Sequence, residues 1–191
     1  MSILRARGFT LIELLVVIAV IIILAGLILS TVGYVQKKGA RSRAEAEIAA
    51  MSAALESYKA DNGIYPTDAN TNALDPAVAA PSGTAYQTAS KSLYGALSGD
   101  NENYNNKIDT AQERQNKTYF AFKPQMLGAT KDTNGNITAV NYIRDPFGNS
   151  YGYSTMKASG GTSGYNPTYD LWSCGDPTPP TSNQTVWIKN W

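Results

Sequence analysis

The 191-residue chain contains no histidine and one cysteine, Cys174. Histidine is the commonest general base near neutral pH and the commonest metal ligand, so both roles fall to other residues or to none. A lone cysteine excludes an intrachain disulfide. The expected role of Cys174 is a small, half-buried strand residue rather than a reactive thiol. Net charge is scarce too. Lys and Arg number 16 against 15 Asp and Glu, which gives no global attraction to nucleic acid.

A more telling absence lies near the start. Residues 14–29 carry no polar side chain. With Phe9-Thr10-Leu11-Ile12 in front, the apolar run is about 20 residues, enough to cross a hydrocarbon core of ~30 Å as a helix. Glu13 interrupts it close to its beginning. A carboxylate there costs on the order of a few kcal/mol unless it finds a partner. A cleaved secretory signal would account for Arg5, Arg7 and the apolar run. The run, however, exceeds the ~7–15 residues usual for such a signal, no small-x-small site follows promptly, and an acid in the core is out of place. A single-pass anchor, with Glu13 reaching the interface, is another reading.

What is present after the run is equally patterned. Ala44, Ile48, Met51, Leu55 and Tyr58 recur at helical spacing as one apolar stripe, with Arg41, Arg43, Glu45, Glu47, Glu56 and Lys59 on the other face. Asp61-Asn62-Gly63 followed by Pro66 is a helix stop. A continuous helix from about Phe9 to about Asp61 would be roughly 80 Å long. Gly26, Gly33 and Gly39 are its weak points, each costing roughly 1 kcal/mol relative to alanine. Beyond residue 60 the chain is rich in Asn, Thr, Ser, Gly and Tyr, the composition of loop-rich β structure. A short helix is expected near 90–97, with Leu93, Tyr94 and Leu97 inward. Residues 99–106 are expected to be a solvated polar loop; they lack the ligand alternation and central glycine of an EF-hand. Asn134-Gly135 predicts a hairpin turn before a strand over 137–143. Tyr151 and Tyr153 fall on one face of the next strand, and residues 169–174 read as the last clear strand. Val186-Trp187-Ile188 are expected to tuck back onto the domain. Asp145, Asp170 and Asp176 qualify as catalytic candidates only by being acidic. Each sits beside a turn or strand end, where Asp caps backbone.

Gly8-Phe9-Thr10-Leu11-Ile12-Glu13 resembles the processing site of the type IV pilin and pseudopilin superfamily. The resemblance extends in order through the helix end at residues 55–67, the turn Asp145-Pro146-Phe147-Gly148-Asn149, the strand over 169–176 and the ending Ile188-Lys189-Asn190-Trp191. All of these are similar to the major pseudopilins of type II secretion, with an unmatched insert at about 68–117. The resemblance implies an α+β, pilin-like fold: a long N-terminal helix packed on a small antiparallel sheet. It divides the chain into a cleaved cytoplasmic leader (1–8), a transmembrane and filament-core helix (9–33), an amphipathic helical half (34–62), a variable loop-rich region (63–117) and a β-sheet region with a C-terminal loop (118–191).

The function so implied is structural, with no enzymatic activity. A prepilin peptidase would cut between Gly8 and Phe9 and methylate the new amine of Phe9. Glu13 would pair with the terminal amine of a neighbouring subunit, so that burying the charge becomes tolerable on assembly. Expected partners are further copies in a helical filament, the peptidase, an inner-membrane assembly platform, minor pseudopilins and the membrane itself. The expected location is the bacterial inner membrane, with the domain outside the cytoplasm. Lys37, Lys38, Arg41 and Arg43 would by charge count favour the opposite orientation, and the resemblance overrules that count. An alternative within the superfamily is a type IV pilin for adhesion, motility or DNA uptake. Such pilins often close their C-terminal region with a disulfide, which one cysteine cannot form. Departures from the family pattern are Trp187, where an aspartate is usual, and Ser30, where a mid-helix proline is usual. The loop after Asp176 is proline-rich. Asp176 is thus the one acidic ligand left for a calcium ion in the C-terminal loop, and no other cofactor is expected.

Overall fold

The computed structural model describes residues 9–78, 80–176 and 184–191, with the backbone alone for residues 28–31. The chain divides into two compact units, residues 1–39 and residues 40–191. In the first, the regular structure is the opening of helix α1 (Leu11–Asn62). The helix continues unbroken through Gly26, Gly33 and Gly39, none of which unwinds it. Its apolar residues from Leu11 to Leu27 are exposed on every side of the helix.

In the second unit α1 changes character. Ala44, Ile48, Met51, Ala54 and Leu55 are buried, which is the expected stripe with Ala54 added. They join Val140, Ile143, Tyr151, Tyr153 and Leu171 in one core. Each large side chain so buried contributes about 1.5–3 kcal/mol relative to exposure. Tyr58 continues the stripe by packing on Tyr119 with ring centroids 5.1 Å apart. The helix ends where expected: Gly63 adopts φ +80° and its N–H bonds the carbonyl of Lys59 at 2.8 Å. A left-handed residue there is cheap only for glycine.

The region after the stop holds two helices. Helix α2 (Ala69–Ala73) opens on a capping box between Asp68 and Thr71. Helix α3 (Thr84–Ser98) contains the expected 90–97 segment and begins six residues earlier than its lower bound. Leu93, Tyr94 and Leu97 are buried, as expected. The aromatic run at 119–122 is not a strand. The Tyr119 and Phe120 N–H groups both donate to the carbonyl of Leu97, at 2.8 and 2.9 Å, so the end of α3 takes the place of a strand partner.

The β structure is antiparallel and falls into two small sheets rather than one. Strands β1 (Leu127–Lys131) and β2 (Ile137–Ile143) form the Asn134-Gly135 hairpin. Strands β3 (Gly152–Ser154), β4 (Asp170–Ser173) and β5 (Ile188–Lys189) form the second sheet in the order β3-β4-β5. An isolated bridge between Arg144 and Ser150 connects the sheets. Tyr151 and Tyr153 do share the core: Tyr151 Oη donates to Glu47 on α1 and Tyr153 Oη to the carbonyl of Pro66, both at 2.8 Å. The C-terminal segment tucks back as β5, burying Trp187 and Ile188. Trp187 stacks on Trp172, whose Nε1 donates to Tyr86 Oη at 3.1 Å. Together this is an α+β, pilin-like arrangement.

Gly152 pairs with Trp172 across β3 and β4. A Cβ at Gly152 would lie 2.3 Å from the Trp172 ring. Overpacking of this kind costs about 1–3 kcal/mol. Gly152→Ala is therefore expected to lower the unfolding free energy by that amount, read as a fall in the chemical-denaturation midpoint at unchanged slope. An unchanged midpoint would mean that Trp172 moves aside without cost.

Candidate functional site

The helix begins one residue after Thr10, and Thr10 and Glu13 cap it reciprocally. The Thr10 N–H donates to Glu13 Oε2 at 2.8 Å, and the Thr10 hydroxyl donates to the same oxygen at 2.7 Å. In return the Glu13 N–H reaches Thr10 Oγ1 at 3.3 Å. This is a capping box, Thr-x-x-Glu, immediately ahead of an apolar run. It satisfies orphan amides of the first turn and places a carboxylate at the positive end of the helix dipole. Sequence reasoning overlooked it, although the three-residue spacing of Thr10 and Glu13 was there to be read. Glu13 thus has a partner within its own chain.

Phe9, on the other side of Thr10, is 77% exposed. Gly8, the other half of the expected cleavage site, lies outside the described residues. From Leu11 onward the helix is apolar all round, and among described residues it is the one helix long and apolar enough to cross a membrane, by length and composition. A helix with no polar face needs lipid or other protein around it.

Outside this segment, the acidic candidates Asp145 and Asp170 cap backbone. Asp145 is 3% exposed. Its Oδ1 accepts N–H bonds from Phe147 at 3.0 Å and Asn149 at 2.8 Å, while Oδ2 accepts the Ser173 hydroxyl. It thereby pins the turn before β3 to strand β4. Asp170 accepts the N–H groups of Tyr165 and Asn166. Asp176 is half-buried at the end of the described stretch, and residues 177–183 of the loop after it lie outside the described residues. Among the described residues no three His, Cys, Asp or Glu side chains come together to hold a metal ion. Cys174 is buried beside Tyr86, and burial pushes its thiol up to about 11. A thiol so protonated is a poor nucleophile. A cleft of about 430 Å³, bordered by Lys59, Ile64, Tyr65, Thr155 and Pro167, contains no carboxylate or thiol in its lining.

The family described as "Prokaryotic N-terminal methylation motif" matches residues 3–29. The chain carries that motif. It is similar to type II secretion system core protein G of Klebsiella pneumoniae, 38% identical over 78 residues, which are 41% of this chain and 54% of the relative. The core protein G of Escherichia coli (strain K12) is 39% identical over 77 residues, 40% of this chain and 52% of that one. That of Aeromonas hydrophila is 41% identical over 63 residues, 33% and 44% respectively. The chain spans about half the length of the curated relatives it matches. No solved structure matches it. Methylation motif and relatives agree with the resemblance read from Gly8-Phe9-Thr10-Leu11-Ile12-Glu13.

Burial raises the carboxyl of Asp145 from 3.8 to about 6, against the pull of Ser173 and the turn amides. Between those values the folded chain keeps a proton that the unfolded chain has lost. Stability therefore falls as pH rises from about 4 to about 6 and is flat in this respect above it, by up to about 3 kcal/mol. Asp145→Asn, which keeps an oxygen for the turn amides, is expected to reduce that slope in melting temperature against pH. An unchanged slope would place the proton elsewhere.

Proposed function

We propose that this chain is a structural subunit of a type II secretion pseudopilus, cleaved between Gly8 and Phe9 and polymerised through its N-terminal helix. The observation that carries the reading is the capped, all-round apolar helix directly behind Gly8-Phe9-Thr10-Leu11-Ile12-Glu13. The similarity to core protein G supports it.

The physical logic is one of exchange. Before assembly, lipid covers the apolar side chains of residues 11–27. In a fibre, the same side chains of neighbouring subunits do so, at little net cost, because lipid tails and apolar side chains are alike as solvents. Specificity must then come from polar groups. Cleavage creates an amine on Phe9 at the positive end of the helix dipole, where a cation is unfavourable. Methylation leaves that amine protonated. The Glu13 carboxylate of an adjacent subunit neutralises it, and in a dry environment an unpaired charge of either sign would penalise any other register. On this reading the prepilin peptidase, an inner-membrane assembly platform and minor pseudopilins are partners. The leader is cytoplasmic and residues 40–191 lie on the far side of the inner membrane. The domain is not assigned any chemistry. Calcium at the C-terminal loop is no part of the reading, since Asp176 is the only Asp or Glu side chain from residue 176 onward and calcium prefers several.

The mature N-terminus tests the processing step. Mass spectrometry of protein from its native membrane is expected to find Phe9 first and carrying one methyl group; an intact Met1, or a cut after residue 25, contradicts the reading. Glu13→Leu is expected to leave membrane insertion unchanged and to lower fibre yield at least about tenfold, the factor that ~1.4 kcal/mol of lost pairing gives. Normal fibre yield would assign the carboxylate to capping alone.

A further inference from the structure

The polar loop after α3, expected to be solvated, instead turns two carboxyl groups inward. Asp100 is 1% exposed and Glu113 0%. Glu113 opens the short turn Glu113–Gln115 and is held by main-chain donors. Its Oε1 accepts from the N–H groups of Glu102 and Asn103, and its Oε2 from those of Asp109 and Thr110, all at 3.2 Å. Burial works against its ionisation, but these four amides outweigh it and hold the carboxyl down at about 2. Glu113 is therefore an anion.

Asp100 meets that anion. Its Oδ2 accepts the Tyr94 hydroxyl at 2.7 Å and the Asn106 N–H at 2.6 Å. Its Oδ1 is buried and receives no N–H or O–H from any described residue, and the Asp100 carboxyl is hydrogen-bonded to that of Glu113. Two carboxylates hold no hydrogen between them, so this contact needs a proton on one of the two. Glu113 is the anion, so Asp100 carries it. Burial first, and Glu113 in addition, raise the Asp100 carboxyl above its ordinary range. The other titratable groups facing Asp100 are Tyr94 from α3 and Tyr104 from the loop. Lys91 lies over the Tyr104 ring, 4.2 Å from its centroid. On the Glu113 side, Asp109 is occupied by the Asn103 and Asn105 side-chain amides, and Arg114 donates to the Asp109 carbonyl. No Lys or Arg among the described residues forms an ion pair with either buried carboxyl.

The chain between the pair is strained. Tyr104 and Asn106 take φ of 51° and 62°, a left-handed conformation that asparagine tolerates and tyrosine does not favour. From this bend the Tyr104 carbonyl accepts the N–H of Val140, an amide of β2 that β1 leaves unpaired. The loop thus covers part of the edge of β2, and uncovered strand edges recruit other strands.

We propose that Asp100 and Glu113 form a proton-operated latch on the strap of residues 101–112, closed while the pair holds one proton and opened when that proton passes to solvent water. Once it leaves, two like charges face each other in a dry site with no cation between them. Their repulsion acts on a bend that already stores strain, and the Asn106 and Val140 amides lose their acceptors. Because burial and Glu113 raise Asp100 in the folded chain, the latch is fully closed below the ordinary aspartate range. It is lost as pH rises through the raised value. The latch lies in the insert at 68–117 and is independent of the pseudopilus reading.

The test is an NMR titration of the isotope-labelled full chain in detergent micelles, from acid to mildly alkaline pH. The Asp100 side-chain carboxyl is expected to titrate above the ordinary carboxylate range. Across that step, hydrogen-exchange protection at the Asn106 and Val140 amides is expected to fall by at least about tenfold. Asp100→Asn keeps an N–H for Glu113 and an oxygen for Tyr94 and Asn106 but has no proton to lose. It is expected to hold both amides protected throughout, while Asp145→Asn leaves the fall in place. Should Asp100→Asn fail to fold, the wild-type titration and exchange decide. The proposal is overturned by an Asp100 that titrates within or below the ordinary range, or by unchanged protection across its step. A fall of equal size in Asp100→Asn, or one abolished in Asp145→Asn, also overturns it.

Discussion

Glu13 accepts two hydrogen bonds from Thr10, at 2.8 and 2.7 Å, at the mouth of a helix whose residues 14–29 carry no polar side chain. The rest of the first unit depends on that contact. Without it, the first-turn amides and the carboxylate would both enter an apolar environment unsatisfied. With it, the first turn of the helix is a closed hydrogen-bonding unit. The same carboxylate still has lone pairs for a further donor. On the proposed reading, an amine on Phe9 of a second copy would take those lone pairs. Local capping and intermolecular pairing are thus compatible demands on one side chain.

The second unit is built on different physics. Its core is a helical stripe on α1 against strands that are short and interrupted, so polar pins supplement apolar packing. Tyr151 ties β3 to Glu47 of α1, and Asp145 ties the turn before β3 to Ser173 of β4. Asp145 is spent on backbone and hydroxyl groups, and Glu47 on the Tyr151 hydroxyl and the Arg43 guanidinium. That arrangement joins α1, the turn before β3 and strand β4 through polar contacts. It offers no acid–base pair in a cleft among the described residues.

Much of this was legible in the sequence, for identifiable reasons. The Ala44 to Leu55 stripe has the period of a helix, Gly63 sits where a left-handed residue is needed, and Asn134-Gly135 specifies a hairpin. Strand β1 was missed because Leu127-Gly128-Ala129-Thr130-Lys131 lacks alternation; its place is set by pairing with β2. The start of α3 was missed because its N-cap is Gly83, with no side-chain cap. The Thr10–Glu13 box was legible but hidden behind the larger question of why an acid stood in an apolar run. Asp100 and Glu113 were not legible. Their burial depends on main-chain amides brought together by the path of residues 99–116, and side-chain patterns do not encode that path.

On the proposed reading the Glu13 carboxylate, capped by Thr10 in the single chain, meets the freed amine of Phe9 on a neighbour when chains assemble. High-resolution electron cryomicroscopy of the assembled fibre measures this directly. A Glu13 oxygen is expected within about 3 Å of the Phe9 nitrogen of an adjacent subunit, the span of a charge-assisted hydrogen bond. A Glu13 side chain facing water, with every Phe9 amine out of reach, would contradict it.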